Sequence, residues 1–289
     1  MASEREIDPA TQTETTGHEW DGIRELDTPM PRWWLLTFYG TIIWGVIYVI
    51  LFPAWPLIHG ATPGLLGYSS RATVARELDA AATANAPLDA RLMETDIATV
   101  EKDPELLSYA MAGGAAIFRN NCSQCHGAGG GGTPLIYPNL ADDDWLWGGT
   151  ATDIETTVTH GIRYEADPDT RYSQMPSFGE ILEPAQIDAV ANYVLSLSGS
   201  PHDAGLAAEG APVFAENCAS CHGETGTGGR EFGAPNLSDQ IWLYGGAFDQ
   251  VHASIVGAHF GIMPAFGGRL TAPEIRKVAI FVNTLGGGE

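Results

Sequence analysis

The chain has 289 residues, a length that suggests about two domains, and 44 % of them are hydrophobic, enough to build cores. Asp and Glu number 36 against 14 Lys and Arg, for a net charge of −22. Phosphate backbones are held by clustered cations, so this balance excludes nucleic acid as a partner. The same field suits docking of a basic protein. A global acidic bias serving solubility or salt adaptation explains it equally, since Lys102 and Lys277 are the only lysines.

Residues 1–32 are polar and acidic, carry Pro9, Pro29 and Pro31, and show no apolar period; Met1 to about Gly17 reads as disordered. From Trp33 to Ile58 there is no charged side chain. A spanning helix needs roughly 20 apolar residues, and Trp33 to Phe52 supplies them. Trp33, Trp34 and Tyr39 near one end, and Tyr48 and Trp55 near the other, suit the two interfaces. Pro31 marks a start and Pro53 a stop. A signal peptide is the alternative, but the run is too long for its apolar core, begins late and lacks a small-x-small cleavage site. Residues 33–56 therefore read as a retained transmembrane helix. Arg24 and Arg32 precede the span and no Arg or Lys follows before Arg71, which places residues 1–32 in the cytoplasm.

Residues 57–104 read as a linker that sets a distance and carries no chemistry. Thr73 to Ala82 and Leu88 to Val100 have helical composition, and Asn85-Ala86-Pro87 is expected to break them.

Two runs then carry the chemistry: Cys122-Ser123-Gln124-Cys125-His126 and Cys218-Ala219-Ser220-Cys221-His222. C-x-x-C-H is the pattern for covalent attachment of a c-type haem. Two thiols on one helical turn reach the two vinyl carbons of a porphyrin, and the adjacent histidine lies under the ring as proximal iron ligand. A four-thiolate zinc site or a thioredoxin-like pair are the alternatives. Neither explains a histidine after both second cysteines, and 96 residues separate Cys122 from Cys218. The motifs use every cysteine in the chain. Because c-type haem is attached outside the bacterial inner membrane, residues beyond the span belong in the periplasm, in agreement with the charge argument.

The surrounding chain repeats. The first copy continues with Pro138-Asn139-Leu140, Trp145-Leu146-Trp147-Gly148-Gly149 and Met175-Pro176-Ser177-Phe178-Gly179. The second continues with Pro235-Asn236-Leu237, Trp242-Leu243-Tyr244-Gly245-Gly246 and Met263-Pro264-Ala265-Phe266-Gly267. The offset is 97 at the tryptophan but 88 at the methionine, because the first copy has an extra segment near Arg163 to Tyr172. Helices Tyr109 to Asn120 and Gly205 to Glu216 run into the motifs. Amphipathic helices bearing Ile187, Val190, Ala191, Val194, Leu197 and Ile275, Val278, Ala279, Val282, Leu285 close the copies. Domains so small bury little surface alone, and an apolar haem supplies the missing core.

Met175 and Met263 are the candidates for the sixth ligand. A thioether favours reduced iron and raises its potential, and with both axial positions filled the iron transfers electrons and binds no substrate. Core filling is the competing role for a methionine. Each methionine is expected to serve the iron of its own repeat, with exchange between repeats as the open alternative. The carbonyls of Pro138 and Pro235 are candidate acceptors for the other ring N–H of His126 and His222. Trp145 and Trp242 suit either haem propionates or ordinary packing. Arg163 suits a propionate, although the second repeat has no matching arginine. His160 and His259 read as loop histidines.

The haem repeats resemble class I cytochrome c domains over residues 105–199 and 202–287. His18-Glu19-Trp20-Asp21-Gly22-Ile23-Arg24-Glu25-Leu26, Pro29-Met30-Pro31-Arg32-Trp33-Trp34 and Pro53-Ala54-Trp55-Pro56 narrow the resemblance to the membrane-anchored dihaem subunit (subunit III) of cbb3-type cytochrome c oxidases. The resemblance implies a mainly α fold, with one N-terminal transmembrane helix and two tandem class I cytochrome c domains. It implies two covalently bound haem c groups on Cys122, Cys125, Cys218 and Cys221, with His126, His222, Met175 and Met263 on iron. It implies an electron-transfer subunit rather than a catalytic chain. Its partners would be a donor cytochrome c, a monohaem cytochrome c subunit and the catalytic haem–copper subunit, at the bacterial inner membrane. A free-standing tethered dihaem carrier and a dihaem peroxidase are the competing functions.

Overall fold

The computed structural model describes residues 5–287 and divides into two compact units, Met1–Thr83 and Ala84–Glu289. In the first unit, β1 (Thr15–Trp20) and β2 (Ile23–Leu26) form an antiparallel hairpin with Trp20 opposite Ile23 and Glu19 opposite Arg24. Asp21 and Gly22 between them have φ of +54° and +83°. Two successive positive φ values suit the hairpin's own twist, and Asp-Gly adopts them readily. Ile7 bridges to Glu14, and Thr15 is buried. This corrects the expectation of disorder for the residues from Arg5 to Gly17; Met1 to Glu4 lie outside the described residues. The acidic side chains are partly compensated within the hairpin, where Arg24 pairs with both Glu6 and Glu19.

Helix α1 (Arg32–Leu51) has 20 residues, about 30 Å at 1.5 Å per residue, which matches a bilayer core. None of its side chains is buried within the chain. Pro31 precedes it, and a short reversal follows, β3 (Pro56–Leu57) paired with β4 (Gly60–Ala61). The N–H groups of Leu65 and Leu66 return to the carbonyls of Ile50 and Leu51, satisfying acceptors that a helix end leaves open.

Helix α2 (Ser70–Glu94) runs unbroken through Pro87, which corrects the expected break. Pro87 lacks an N–H for the carbonyl of Thr83, a loss of about 3 kcal/mol in a helix interior. The alanine-rich flank, the packing of Leu88 and the burial of Leu92 downstream offset it. From Ala84 onward the helix belongs to the second unit. There Leu92, Ile97 and Val100, the last two on a 3-10 turn (Ile97–Lys102), are core residues. The later part of the supposed spacer, from Leu88 to Val100, thus belongs to a folded core.

The second unit is helical: α3 (Pro104–Asn121), α4 (Ser123–His126), α5 (Ala151–His160), α6 (Pro184–Leu197), α7 (Ala204–Asn217), α8 (Ala219–His222), α9 (Phe248–Val256) and α10 (Ala272–Asn283). Asp103 caps α3 through the N–H groups of Glu105 and Leu106, and Asp203 caps α7 through those of Gly205 and Leu206. The helices sort into two lobes, each with its own core. In the first, α3 and α5 pack on α10, and Phe118, Ile154 and Val158 share a core with Phe266, Ile275 and Val278. In the second, α6 packs on α7 and α9, and Phe178, Ile187 and Val194 share a core with Phe214, Val251 and Ile255.

The closing helix of each repeat is therefore exchanged. Helix α10, from the second repeat, completes the lobe built on the first haem motif; α6, from the first repeat, completes the other. Phe118 meets Phe281 with ring centroids 5.4 Å apart, and Phe214 meets Tyr193 at 5.1 Å. The crossings are close because glycine stands at equivalent places. A Cβ at Gly114 would strike the carbonyl of Lys277, and one at Gly210 the carbonyl of Ala189. Helix α10 also ties down α2. Lys277 Nζ lies 2.6 Å from Asp89 and donates to Tyr109 at 2.9 Å, while Arg276 pairs with Glu155 and donates to the carbonyls of Leu92, Met93 and Thr95.

Candidate haem sites

The two motifs are built alike. Helix α3 ends at Asn121, and Cys122 bends the backbone into α4, which carries Cys125 and His126; Gly127 at φ +75° stops the turn. Cys218, α8 and Gly223 at φ +79° repeat the design. Both thiols of each motif thus sit on one short turn with the imidazole beside them.

His126 Nδ1 lies 3.2 Å from the carbonyl of Pro138, and His222 Nδ1 lies 3.1 Å from that of Pro235. A carbonyl only accepts, so Nδ1 carries the proton and Nε2 keeps its lone pair free for a metal. Burial depresses both imidazole pKa values, against a smaller opposing effect of the carbonyl bond. The rings are consequently neutral at neutral pH, the form that ligates. Burial, and then Cys125, push the Cys122 thiol up to about 11; burial and Cys221 do the same for Cys218. These are apolar niches for uncharged sulfur, as a thioether requires.

The loop that returns to each proline depends on close backbone approach. The N–H of Gly132 donates to the carbonyl of His126, and that of Gly228 to the carbonyl of His222. A Cβ at Gly132 would strike Tyr137 and Pro138; one at Gly228 would press on Ala234. Glycine lets the loop fold back far enough for the proline carbonyl to reach the ring.

The methionines follow the exchanged helices. Met263 forms an antiparallel bridge with Ile162 (N to O 2.9 and 3.0 Å) and packs, with Cys122, on the core of the first lobe. Phe266 and Gly267 continue the attachment by donating to the carbonyls of Val158 and Thr159. Met175 packs, with Cys218 and Ala219, on the core of the second lobe. The expectation that each methionine stays with its own repeat is not met by this packing. The structure packs Met263 on the core that Cys122 joins, and Met175 on the core that Cys218 joins.

Other singled-out residues are engaged within the chain. Trp145 packs on the first core and its indole N–H donates to the carbonyl of Gly287; Trp242 packs on the second core. His160 Nδ1 lies 3.2 Å from Asp167, and His259 stacks on Tyr244 and meets Ser254. Arg163 donates to backbone carbonyls of Ser173 and Gly261. Sequence reasoning missed Arg276, Lys277 and the α2 groups they hold. Two adjacent basic residues in an apolar-periodic helix of an acidic protein were the available signal.

Three family descriptions match the chain in order. Residues 12–59 match the N-terminal domain of cytochrome oxidase-cbb3, FixP; residues 111–198 match cytochrome c; residues 205–282 match cytochrome c oxidase, cbb3-type, subunit III. The cbb3-type cytochrome c oxidase subunit CcoP of Cereibacter sphaeroides is 58 % identical over 277 residues, 95 % of each chain. Subunit FixP of Sinorhizobium medicae is 48 % identical over 285 residues, covering 99 % of this chain and 98 % of its own. The chain belongs to the CcoP/FixP family of cbb3-type cytochrome c oxidase subunits. A member of this family is a membrane-anchored electron-transfer subunit of an oxidase complex with two covalently bound haem c groups. The paired thiols, the oriented neutral imidazoles and the thioethers on the same cores fit that cofactor in both lobes.

Proposed function

We propose that this subunit accepts electrons from a donor cytochrome c and delivers them through a monohaem cytochrome c subunit to a catalytic haem–copper subunit, without binding oxygen itself. When bound, haem c supplies a one-electron carrier at each site. The chain supplies everything that tunes it. Cys122 and Cys125, and Cys218 and Cys221, fix the porphyrins. His126 and His222 donate Nε2 because Pro138 and Pro235 hold Nδ1–H. The thioethers of Met263 and Met175 would ligate the irons together with the histidines, which would suit electron transfer over peroxide chemistry. Met263 serves the iron of His126, and Met175 that of His222. The shared packing of Met263 with Cys122, and of Met175 with Cys218, carries this assignment.

The arginines before α1 support a cytoplasmic tail over residues 1–32, a span at 33–56, and periplasmic residues from 57 onward. The cytochrome c repeats at 105–199 and 202–287 then fold there as one exchanged pair. The tryptophan-rich entrance of α1, with Trp33 and Trp34 exposed, supports packing on another membrane subunit over a plain tether.

The deciding experiment uses the full-length subunit with Cys218 and Cys221 replaced by serine, which leaves one haem, on Cys122 and Cys125. Introducing Met263→His there lowers the midpoint of that haem, while Met175→His leaves it unmoved. The reverse pattern overturns the crossed assignment. Purification of the native complex should bring haem b and copper with this chain; a carrier without an oxidase would elute with neither.

A further inference from the structure

The chain crosses between lobes twice, in residues 163–174 and 258–262, and one side chain touches both crossings. Arg163 donates from Nε to the carbonyl of Ser173 and from Nη1 to that of Gly261, at 3.0 Å. Ser173 stands two residues before Met175, and Gly261 two before Met263. A single guanidinium thus holds the equivalent carbonyl ahead of both methionines. Its surroundings are paired in the same way. Its Cζ lies 5.8 Å from the ring centroid of Trp147, and Tyr244, the counterpart of Trp147 in the second repeat, stands with its hydroxyl beside Gly261, whose carbonyl Arg163 holds. Phe260, in the second crossing, lies 6.0 Å away. Trp147 itself lies against Gly233, close to the Pro235 that holds His222.

Arg163 sits half-buried with φ +53°, a backbone state that a long side chain seldom adopts. The two carbonyls its guanidinium holds and the rings beside it offset that strain. The second repeat has no matching arginine, and Arg163 bonds the loops of both repeats from the first.

We propose that Arg163 is a shared positioning residue for both methionine loops, and that its fixed charge sets the two haem potentials together. The planar fork holds two carbonyls at once, which an ammonium does less rigidly. A cation partly withdrawn from water and lying between the two loops disfavours the extra positive charge of oxidised iron at either site. This rests on both methionines being ligands, and not on which iron each serves.

The test is a redox titration of the full-length dihaem subunit in its oxidase complex, with haem content checked by pyridine haemochrome. Arg163→Gln lowers both midpoints, each by about tenfold in the reduction equilibrium, or roughly 59 mV for one electron. Arg163→Lys restores both to within about threefold of the parent. In that variant added imidazole displaces both methionines more readily than in the parent, read from loss of the sulfur-to-iron charge-transfer band. A shift confined to one midpoint, no shift, or a lysine variant as low as the glutamine variant overturns the proposal. If Arg163→Gln does not retain both haems, the lysine variant decides: easier displacement at both sites supports the shared role, and at one site only overturns it. A parent protein without the charge-transfer band would overturn the ligand assignment itself, whatever Arg163 does.

Discussion

Asp144 shows how a single residue reports on the contact between the lobes. It lines a cavity of about 300 Å³ together with Asp143, Thr227, Arg230 and Asp239. Burial, then Asp239, then Asp142 push its pKa up to about 6. A carboxyl that binds its proton more tightly folded than unfolded makes the protein less stable as pH rises from about 4 to 6, and the loss persists above that window. Asp144→Asn removes the penalty. Because the group is only part-buried, solvent screening reduces the gain to about 1 kcal/mol above pH 6. The thermal midpoint of the variant should then exceed the parent's at pH 7 and converge with it near pH 4. Superimposable midpoints at both pH values would mean that Asp144 is solvated in the folded protein. At this scale the sequence was most informative. Cysteine, histidine and the accepting proline lie within 20 residues of one another in each repeat, so their geometry follows from local turns. Arg163 was harder to place, because both its partners come from chain crossings that no local pattern displays.

Among the elements, the crossing of α6 and α7 is the place where one added carbon matters. At Gly210 a side chain would meet the backbone of Ala189 and Val190, which cannot swing aside as a flexible side chain can. Gly210→Val should destabilise the second lobe by about 3 kcal/mol, as overpacking does in a close-packed core. Gly205→Ala, in the first turn of the same helix, is its control. There the nearest atom to a new Cβ is the side chain of Asp203 at 3.2 Å, so better helix propensity leaves stability equal or slightly higher. Chemical denaturation of both variants checks the pair, and equal losses would contradict the close crossing. The faces of these helices were legible from their apolar period, but their partners were not. Phe118 can stack on Tyr193 or on Phe281 with nearly the same area, since the two closing helices are copies of one pattern. Periodicity names the buried face and says nothing about which copy buries it. The hairpin at Asp21-Gly22 was legible in principle, and the acidic composition outweighed it. Pro87 was read by its usual effect, whereas Leu88 and Leu92 beyond it carried the helix on into a core.

For the whole molecule, the exchange turns two haem domains into one mechanical object. Joined only by a linker, two such domains would unfold separately and let the distance between irons vary. Here each lobe lacks its closing helix and its methionine unless the other repeat has delivered them, and the chain must cross twice to do so. Loss of either lobe pulls on 163–174 and 258–262 together, where Arg163 bonds both. A lobe stripped of α6 or α10 exposes an apolar face that a domain of this size cannot spare. Both lobes should therefore unfold in one cooperative transition, with the loss of methionine ligation at the two irons coinciding. Gly210→Val, although confined to the second lobe, should lower the denaturant midpoint for ligation at both irons equally. The measurement is guanidinium unfolding of the single-haem variants, Cys122→Ser with Cys125→Ser and Cys218→Ser with Cys221→Ser, each with and without Gly210→Val. If the valine moves the transition only where the haem on Cys218 and Cys221 is the reporter, the lobes are independent and the exchange does not couple them.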